Sequence, residues 1–337
     1  MIIDSHNIRE YAERAVIPNL PFEATFVTAE PVTRHTYVNN IYRITLETRH
    51  GPLNVYLRQA LDHVKAEPEA KVPPGRIFYE EEVLRRLSEI FDQEITPAVL
   101  CSDHDNFVLV LSDVGEHATM LVDELSEGHV HPETGKAIGN VLGTMHGRTW
   151  DTEAFVLDPG GNERQLQKHF YNRLQQARNI DPIATQGLID ESTSAPRTFV
   201  AGDFASKNIL ISGKAIRFVD LERSFVGDPA FDIGFLFGHY MVEMGNNTKL
   251  REDIRRLAGS MMKAYSDRLS DLGIDSSTVE QIEHRAVKFA GATILYRLFG
   301  RAKAGEIATE SRVRLEEYGL DLLRGAYDRL TDAIIAY

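Results

Sequence analysis

The chain has 337 residues, a length that suggests two domains or lobes. Its formal net charge of −13 at pH 7 disfavours nucleic acid or an anionic membrane as a partner. No run of about 18 apolar residues predicts a transmembrane helix, and the N-terminal segment MIIDSHNIREYAERAV lacks the apolar block of a secretory signal. Because Cys101 is the single cysteine, no internal disulfide can form, and we expect a protein of the reducing cytoplasm.

The first third of the chain has the pattern of an antiparallel sheet. Residues 24–59 contain three strand-like segments separated by turn residues. The charged, proline-containing residues 61–75 predict a flexible connection, and residues 78–87 predict a helix with its apolar side chains near one face. Residues 97–116 then predict two more strands that are joined by a polar turn at 102–106.

After Gly115 the pattern becomes mostly helical. Residues 134–150, residues 163–179 and most of residues 250–337 have helical periodicity, and short strand-like segments return only between 197 and 222. No strand–GxxxxGK[ST]–helix or GxGxxG pattern occurs, so the sequence lacks the phosphate cradles of P-loop and Rossmann proteins.

Residues 200–232 carry the most informative pattern, VAGDFASKNILISGKAIRFVDLERSFVGDPAFD. Phosphoryl transfer to an alcohol requires a carboxylate that orients the hydroxyl and accepts its proton, and oxygen ligands that hold magnesium against the phosphates. Asp203 and Asn208 have the offset of a kinase catalytic loop, and the hairpin after Asn208 is expected to bring Asp220 back beside Asp203. The pattern therefore predicts Asp203 as the base and Asn208 and Asp220 as Mg²⁺ ligands.

This stretch resembles the signature of the aminoglycoside phosphotransferase and choline kinase superfamily, HGDxxxxN followed by a hydrophobic strand that ends in a metal-binding aspartate. The resemblance implies the same three roles, with ATP as the phosphoryl donor. It also suggests that Asp228 caps the next helix and that Asp232 braces the catalytic loop. Ala201 stands where the superfamily has a histidine, and we expect this change to remove a hydrogen-bonding brace from the loop.

The first third of the chain resembles the superfamily's nucleotide-binding lobe. The strand VYLRQA places Arg58 where the superfamily has a phosphate-binding lysine, and an arginine can also bind phosphate. Glu80 matches the helix glutamate that pairs with this cation, with Glu81 and Glu82 as neighbouring alternatives in the same helix. Asn39 matches a loop asparagine of the nucleotide site, and a role in the turn is the alternative. The segment VLVLSDVG resembles the interlobe hinge, so the main chain from Ser112 to Val114 is expected to bind adenine.

Within the superfamily the chain most resembles the methylthioribose kinases. The segment AGATILYRLFGRAKAGEI is similar to their C-terminal helix, in which an arginine pair precedes a glycine. Arg297 falls on the second arginine and Tyr296 replaces the first. The resemblance implies that both residues face the substrate, and the change to tyrosine puts methylthioribose itself in doubt.

Together these features predict an α+β, protein-kinase-like bilobal fold, with a small antiparallel-sheet N-lobe over 1–111 and a hinge and larger helical C-lobe over 112–337. The predicted activity is ATP-dependent transfer of the γ-phosphoryl group to an alcohol of a sugar-like or amino-alcohol metabolite. An aminoglycoside-type antibiotic remains an alternative acceptor, for which an acidic C-lobe pocket would be the sign. Ala201 and Arg58 keep a third alternative open, a nucleotide-binding pseudokinase. The sequence indicates no oligomeric state.

Overall fold

The computed structural model divides the chain into two compact units. The first contains residues 1–118 and 217–222, and the second contains residues 119–216 and 223–337. The described residues are 1–34, 36, 38–65, 67–91, 95–115, 118–129, 131–151, 159–300 and 307–337. None of the helices in these ranges has the length and hydropathy that a membrane span requires.

The first unit is built on a five-stranded antiparallel sheet in the order β1-β2-β3-β7-β6. Its elements are α1 (Ile8–Tyr11), β1 (Ala24–Pro31), β2 (Asn39–Thr48), β3 (Gly51–Ala60), β4 (His63–Val64), β5 (Glu67–Lys71), α2 (Arg76–Ile90), β6 (Val99–Asp103) and β7 (Val108–Ser112). The strands predicted over 24–59 and 97–116 and the helix predicted over 78–87 are therefore present.

The flexible connection predicted over 61–75 is wrong in part, because this segment contains the antiparallel pair β4–β5. His63 is paired with Lys71, and Val64 with Glu67. Each strand of a two-stranded ribbon has an edge whose N–H groups need no partner, so such a ribbon can contain a proline such as Pro68. Proline content alone therefore did not exclude a strand here.

The sheet buries one face because its apolar residues alternate along the strands. Ile44, Leu46, Val55 and Leu57 of β2 and β3 are fully buried, together with Tyr11 from α1. Helix α2 has a different buried face, in which Glu80 lies in line with Val83, Leu84 and Leu87 at helical spacing. A carboxylate on an otherwise apolar face requires a buried partner.

The second unit is mainly helical. Its helices are α3 (Leu121–Glu127), α4 (Pro132–Arg148), α5 (Pro159–Gln165), α6 (Asn172–Ile180), α7 (Pro182–Thr193), α8 (Ala230–Asn246), α9 (Arg251–Asp271), α10 (Ser276–Phe299), α11 (Thr309–Leu323) and α12 (Leu330–Ala336). A π-helical segment, Leu166–Tyr171, joins α5 to α6. Helix α8 is buried along nearly its whole length and packs on α10, which places it in the core of this unit.

Short strands frame the predicted catalytic loop. They are β8 (Thr119–Met120), β9 (Thr198–Val200), β10 (Ile209–Ser212), β11 (Ala215–Phe218) and β12 (Phe225–Gly227). Strand β9 pairs with β12, and β10 pairs with β8. The loop from 201 to 208 thus begins and ends at paired strands, and β11 leads the chain into residues 217–222 of the first unit.

Candidate active site

Arg58 and Glu80 form a buried ion pair in the first unit. Arg58 lies near the end of β3, between Ile41 of β2 and Leu109 of β7, and its Nη1 lies 2.7 Å from Oε1 of Glu80 on α2. The side chains are 7% and 1% exposed, so water screens the pair little. The neighbouring glutamate, Glu81, contacts Arg85 and other partners instead, which identifies Glu80 as the helix residue that pairs with Arg58.

Arg58 also binds Asp220. Its Nη2 donates to Oδ1 of Asp220 at 2.9 Å, while the Leu221 N–H donates to Glu80 at 3.1 Å. Asp220 has a φ of 66°, a left-handed conformation that is uncommon for a residue other than glycine and is typical of functional sites. The segment 217–222 therefore presents its aspartate to Arg58 through a constrained turn.

Charge and burial oppose each other in this cluster. Burial lowers the pKa of Arg58, but the carboxylates of Glu80, Asp220 and Glu222 outweigh it and raise that pKa above its ordinary value. Burial raises the pKa of Glu80 to about 7, although the Arg58 charge favours its ionised form. Nε of Arg58 and Oε2 of Glu80 are buried without a hydrogen-bond partner among the described residues.

Asn39 lies at the start of β2 in a second polar network. Its Oδ1 accepts a hydrogen bond from Arg76 at 2.6 Å, and its Nδ2 donates to Glu222 at 3.3 Å. Arg76 also donates from Nε to Glu222. The side chain of Asn39 is thus positioned by protein partners, and its predicted role at the nucleotide stays a prediction.

The predicted hinge follows β7. The Ser112 N–H donates to the carbonyl of Ala98 at 2.9 Å, and the Ser112 hydroxyl accepts from the Ala98 N–H at 2.9 Å. This N–H is therefore committed to the protein, and a main-chain contact with adenine would have to come from other groups. Val114 lies two residues further along and is half-buried.

The catalytic loop in the second unit is held through its backbone. The N–H groups of Ala201 and Gly202 donate to the two carboxylate oxygens of Asp232, at 2.7 and 2.9 Å. Gly202 has a φ of 74°, and a Cβ there would collide with the carbonyl oxygen of Arg223. Asp232 is fully buried at the first turn of α8.

Asp232, which holds the backbone of the loop, is itself contacted by a histidine, and the loss of a brace at Ala201 stays a prediction. Nε2 of His146 lies 3.5 Å from Asp232, and Nδ1 lies 2.9 Å from the Tyr265 hydroxyl. His146 is buried within α4 and contacts the aspartate that holds the loop. Asp228 accepts from the N–H of Ala230, as expected of a cap.

Asp203 is buried among cations. Its Oδ1 accepts from Nη2 of Arg173 at 2.7 Å, its Oδ2 accepts from Nζ of Lys207 at 3.1 Å, and Nη1 of Arg223 lies 3.9 Å from Oδ2. Burial raises the pKa of Asp203, but the charges of Lys207, Arg173 and Arg223 outweigh it, so the pKa lies well below its ordinary value. Asp203 is therefore ionised at neutral pH.

Asn208 is tied to the same carboxylate. Its Nδ2 donates to the main-chain oxygen of Asp203 at 2.8 Å and lies 3.3 Å from Oδ2. Because the amide nitrogen is engaged in this way, the amide oxygen of Asn208 is directed elsewhere and can act as a ligand.

The residues predicted to hold Mg²⁺ have suitable chemistry. Asn208 offers an amide oxygen and Asp220 a carboxylate whose side chain is 28% exposed. Mg²⁺ prefers such oxygen ligands. In the described ranges no group of three or more His, Cys, Asp or Glu side chains could hold a metal ion, so a site rich in histidine or cysteine is not seen there.

Residues 46–270 match the family described as "Phosphotransferase enzyme family". The chain belongs to this family. Methylthioribose kinase of Pectobacterium carotovorum is 23% identical over 89% of this chain and 88% of its own. 4-Hydroxytryptamine kinase of Psilocybe cyanescens is 24% identical over 60% of this chain and 64% of its own.

Solved structures share the fold of this phosphotransferase. An amicoumacin kinase, in complex with AMP-PNP, Ca²⁺ and Ami, superposes with a TM-score of 0.56 at 14% identity, covering 97% of this chain and 95% of its own. A choline/ethanolamine kinase family protein from Mesorhizobium loti gives a TM-score of 0.53 at 15% identity, covering 99% of each chain. These structures confirm the predicted protein-kinase-like α+β fold, and the family match confirms the superfamily and the enzyme class.

Tyr296 and Arg297 of the phosphotransferase lie near the C-terminal end of α10, in the same unit as Asp203. The guanidinium of Arg173 lies 6.0 Å from the Tyr296 ring centre and 4.0 Å from that of Phe235 on α8. Burial lowers the pKa of Arg297, while the charge of Glu243 and, to a smaller extent, that of Asp203 raise it. The helix that resembles a substrate-binding segment therefore lies close to the predicted base.

Sequence reasoning missed the cations that contact Asp203. Lys207 could have been found, because it lies inside the D-x4-N pattern one residue before Asn208. Arg173 gave no signal, because it lies on α6, 30 residues before its partner and outside any motif.

Proposed function

We propose that this phosphotransferase transfers the γ-phosphoryl group of ATP to the hydroxyl of a small molecule. The observation that carries the proposal is the position of Arg58, which contacts Glu80 and Asp220 through its two terminal nitrogens. Protein kinases use a cation on the same strand paired with a helix glutamate, and a metal-binding aspartate. Here arginine replaces the lysine of that set.

Asp203 is the proposed base. Its low pKa keeps it ionised, so it can orient the acceptor hydroxyl and receive its proton late in a loose transition state. The bond between the γ-phosphorus and the bridging oxygen breaks, a bond to the hydroxyl oxygen forms, the proton passes to Asp203 and then to solvent, and ADP leaves. A carboxylate oxygen has two lone pairs, so a hydroxyl can bind beside the present partners of Asp203.

The nucleotide would bind mainly through charge and main-chain contacts. Arg58 would contact the phosphates through the guanidinium N–H groups that Glu80 and Asp220 do not occupy, with Glu80 fixing its orientation. The main chain around Val114 would bind adenine. Magnesium, when bound, neutralises charge on the β- and γ-phosphates, and Asn208 and Asp220 are the residues that would hold it.

The proposed acceptor is an alcohol of a sugar-like or amino-alcohol metabolite. The surroundings of Asp203 do not favour the antibiotic alternative, since Arg173 and Lys207 already neutralise this carboxylate.

The cytoplasmic location of the protein remains a prediction.

The test is ADP formation with Mg–ATP across a panel of sugars, amino alcohols and aminoglycosides. With an acceptor that supports turnover, kcat/KM should be highest for the wild type, lower for Arg58→Lys and lowest for Arg58→Ala, because lysine restores the charge but not the planar guanidinium group. Arg43→Gln is the matched control, because Arg43 lies on β2 in an exposed pair with Glu30. Equal kcat/KM for Arg58→Ala and the wild type would remove Arg58 from the nucleotide site.

A further inference from the structure

The guanidinium of Arg173 is only partly hydrogen-bonded within the described residues. The side chain is 7% exposed, its Nη2 contacts Asp203, and its Nη1 is buried without a hydrogen-bond partner among the described residues. Buried donors in native proteins almost always have an acceptor, and a charged one has the strongest requirement. An incompletely satisfied guanidinium beside the proposed base indicates a position where a ligand supplies the missing acceptor.

The position of Arg173 is fixed by packing. Its guanidinium lies 4.0 Å from the centre of the Phe235 ring, and the Tyr296 ring is 6.0 Å away on another helix. Aromatic rings stack on a guanidinium plane but accept few of its hydrogen bonds. Nη1 of Arg173 is therefore held in place without a hydrogen-bond acceptor among the described residues.

The local charge balance favours an anion. Arg173 and Lys207 contact different oxygens of Asp203, and Arg223 lies 3.9 Å from one of them, so three cations surround one carboxylate. Burial and the nearby cations hold the pKa values of His169 and His239 below the ordinary histidine value, so neither adds charge at neutral pH. A cationic acceptor would thus meet a carboxylate that is already compensated.

The phosphates of ATP explain the presence of Lys207 beside Asp203 better than that of Arg173. Lys207 is 34% exposed and belongs to the catalytic loop, so the transferred phosphoryl group can attract it. Arg173 is buried on α6 and contacts the other carboxylate oxygen, next to Tyr296 of the helix that resembles a substrate-binding segment. Its unsatisfied donor is therefore assigned to the acceptor.

We propose that the acceptor carries an anionic group, a carboxylate or a phosphate, which binds the free donors of Arg173 while Asp203 orients the hydroxyl. This inference rests on the proposed phosphoryl transfer to an alcohol. Among the proposed acceptors it favours sugar acids and phosphorylated sugars over amino alcohols, and it adds hydroxy acids to the class. Arg173 would then determine specificity, and the arginine fork suits both oxyanions.

The experiment compares acceptors that differ in charge but share their hydroxyl groups. Gluconate, glucose and glucosamine form one series and glycerate, glycerol and 3-amino-1,2-propanediol another, with glucose 6-phosphate and glycerol 3-phosphate as the phosphate arm. Binding is measured by titration calorimetry with Mg²⁺ and a non-hydrolysable ATP analogue. An anionic member should bind at least about tenfold more tightly than its neutral counterpart, as expected for one charge-assisted hydrogen bond. If no anionic member binds more tightly than its neutral counterpart, the inference is overturned.

Variants then assign the preference to Arg173. Arg173→Met should reduce the ratio of anionic to neutral affinity about tenfold, and Arg173→Lys should give an intermediate ratio because it keeps the charge. Arg178→Gln, on the same helix and bonded to Gln186, should keep the wild-type ratio. If Arg173→Met weakened neutral and anionic acceptors equally, Arg173 would only position Asp203, and the inference would be wrong.

Binding and turnover test the anion site and the proposed function separately. Selective anion binding without phosphorylation of any member would overturn the proposed function and leave the anion site in place. Phosphorylation of neutral or cationic acceptors without any preference for anions would support the proposed function and overturn the anion site. If Arg173→Met does not fold, the wild-type series and Arg173→Lys still decide the matter.

Discussion

The buried pair of Arg58 and Glu80 should make stability depend on pH once Arg58 is lost. In Arg58→Met, Glu80 keeps its burial but loses the cation 2.7 Å away. Breaking a buried pair by removing one partner costs about 3–5 kcal/mol while the remaining charge persists. When Glu80 is protonated, the loss should be only about 1–3 kcal/mol, the value of unsatisfied hydrogen bonds.

The sign follows from the raised pKa of Glu80. A carboxyl group whose pKa is higher in the folded state stabilises the fold at low pH, and this contribution is lost as the pH rises through about 7. Removal of Arg58 raises that pKa further, so the variant continues to lose stability above pH 7, where the wild type no longer does. The deficit should therefore be larger at pH 8.5 than at pH 6.

The assay is thermal unfolding of the wild type, Arg58→Met, Glu80→Gln and the double variant at both pH values. At about 2–4 °C per kcal/mol, Arg58→Met should lower Tm by roughly 6–20 °C at pH 8.5 and by clearly less at pH 6. The double variant should be more stable than Arg58→Met at pH 8.5, because its glutamine carries no charge. A Tm deficit that is equal at the two pH values, or additive in the double variant, would refute this reasoning.

Three other changes test separate parts of the account. Asp203→Asn should lower kcat about 10²–10⁴-fold and keep nucleotide affinity, because the amide cannot accept the proton; near-normal turnover would remove Asp203 from the mechanism. Asp220→Asn should abolish turnover and the magnesium dependence of nucleotide binding measured by calorimetry, since the change removes the negative charge that the carboxylate offers to the metal beside the neutral amide of Asn208; unchanged magnesium dependence would contradict its role. Gly202→Ala should cost at least about 1–3 kcal/mol in the free energy of unfolding, because φ is 74° there and the methyl group meets the carbonyl of Arg223; Gly187→Ala, at a glycine with open space around it, is the control and should change Tm little.

Features with short-range causes could be predicted from the sequence. The D-x4-N spacing was visible because Asp203 and Asn208 belong to one tight loop, and their contact is local. Glu80 could be proposed because strand and helix follow each other in the chain, although the structure was needed to separate it from Glu81.

Features that depend on distant contacts could not be predicted. The resemblance suggested that Asp232 braces the catalytic loop, but the contact of His146 with Asp232, 86 residues away in the chain, could not be predicted. Asp228 was expected to cap a helix, but it also forms a buried bidentate pair with Arg285, 57 residues away. Such pairs are specified by helix packing, which leaves no pattern in the local sequence.

The central claim is that the phosphoryl group of ATP reaches an acceptor alcohol. The most direct measurement is phosphorus NMR of a reaction that contains Mg–ATP and the best-binding acceptor, with the wild type and Asp203→Asn in parallel. The account predicts a phosphate ester formed in equal amount to ADP by the wild type and far more slowly by the variant. ATP binding without any turnover would contradict it and favour a nucleotide-binding pseudokinase. ADP accompanied only by inorganic phosphate would also contradict it and would indicate an ATPase.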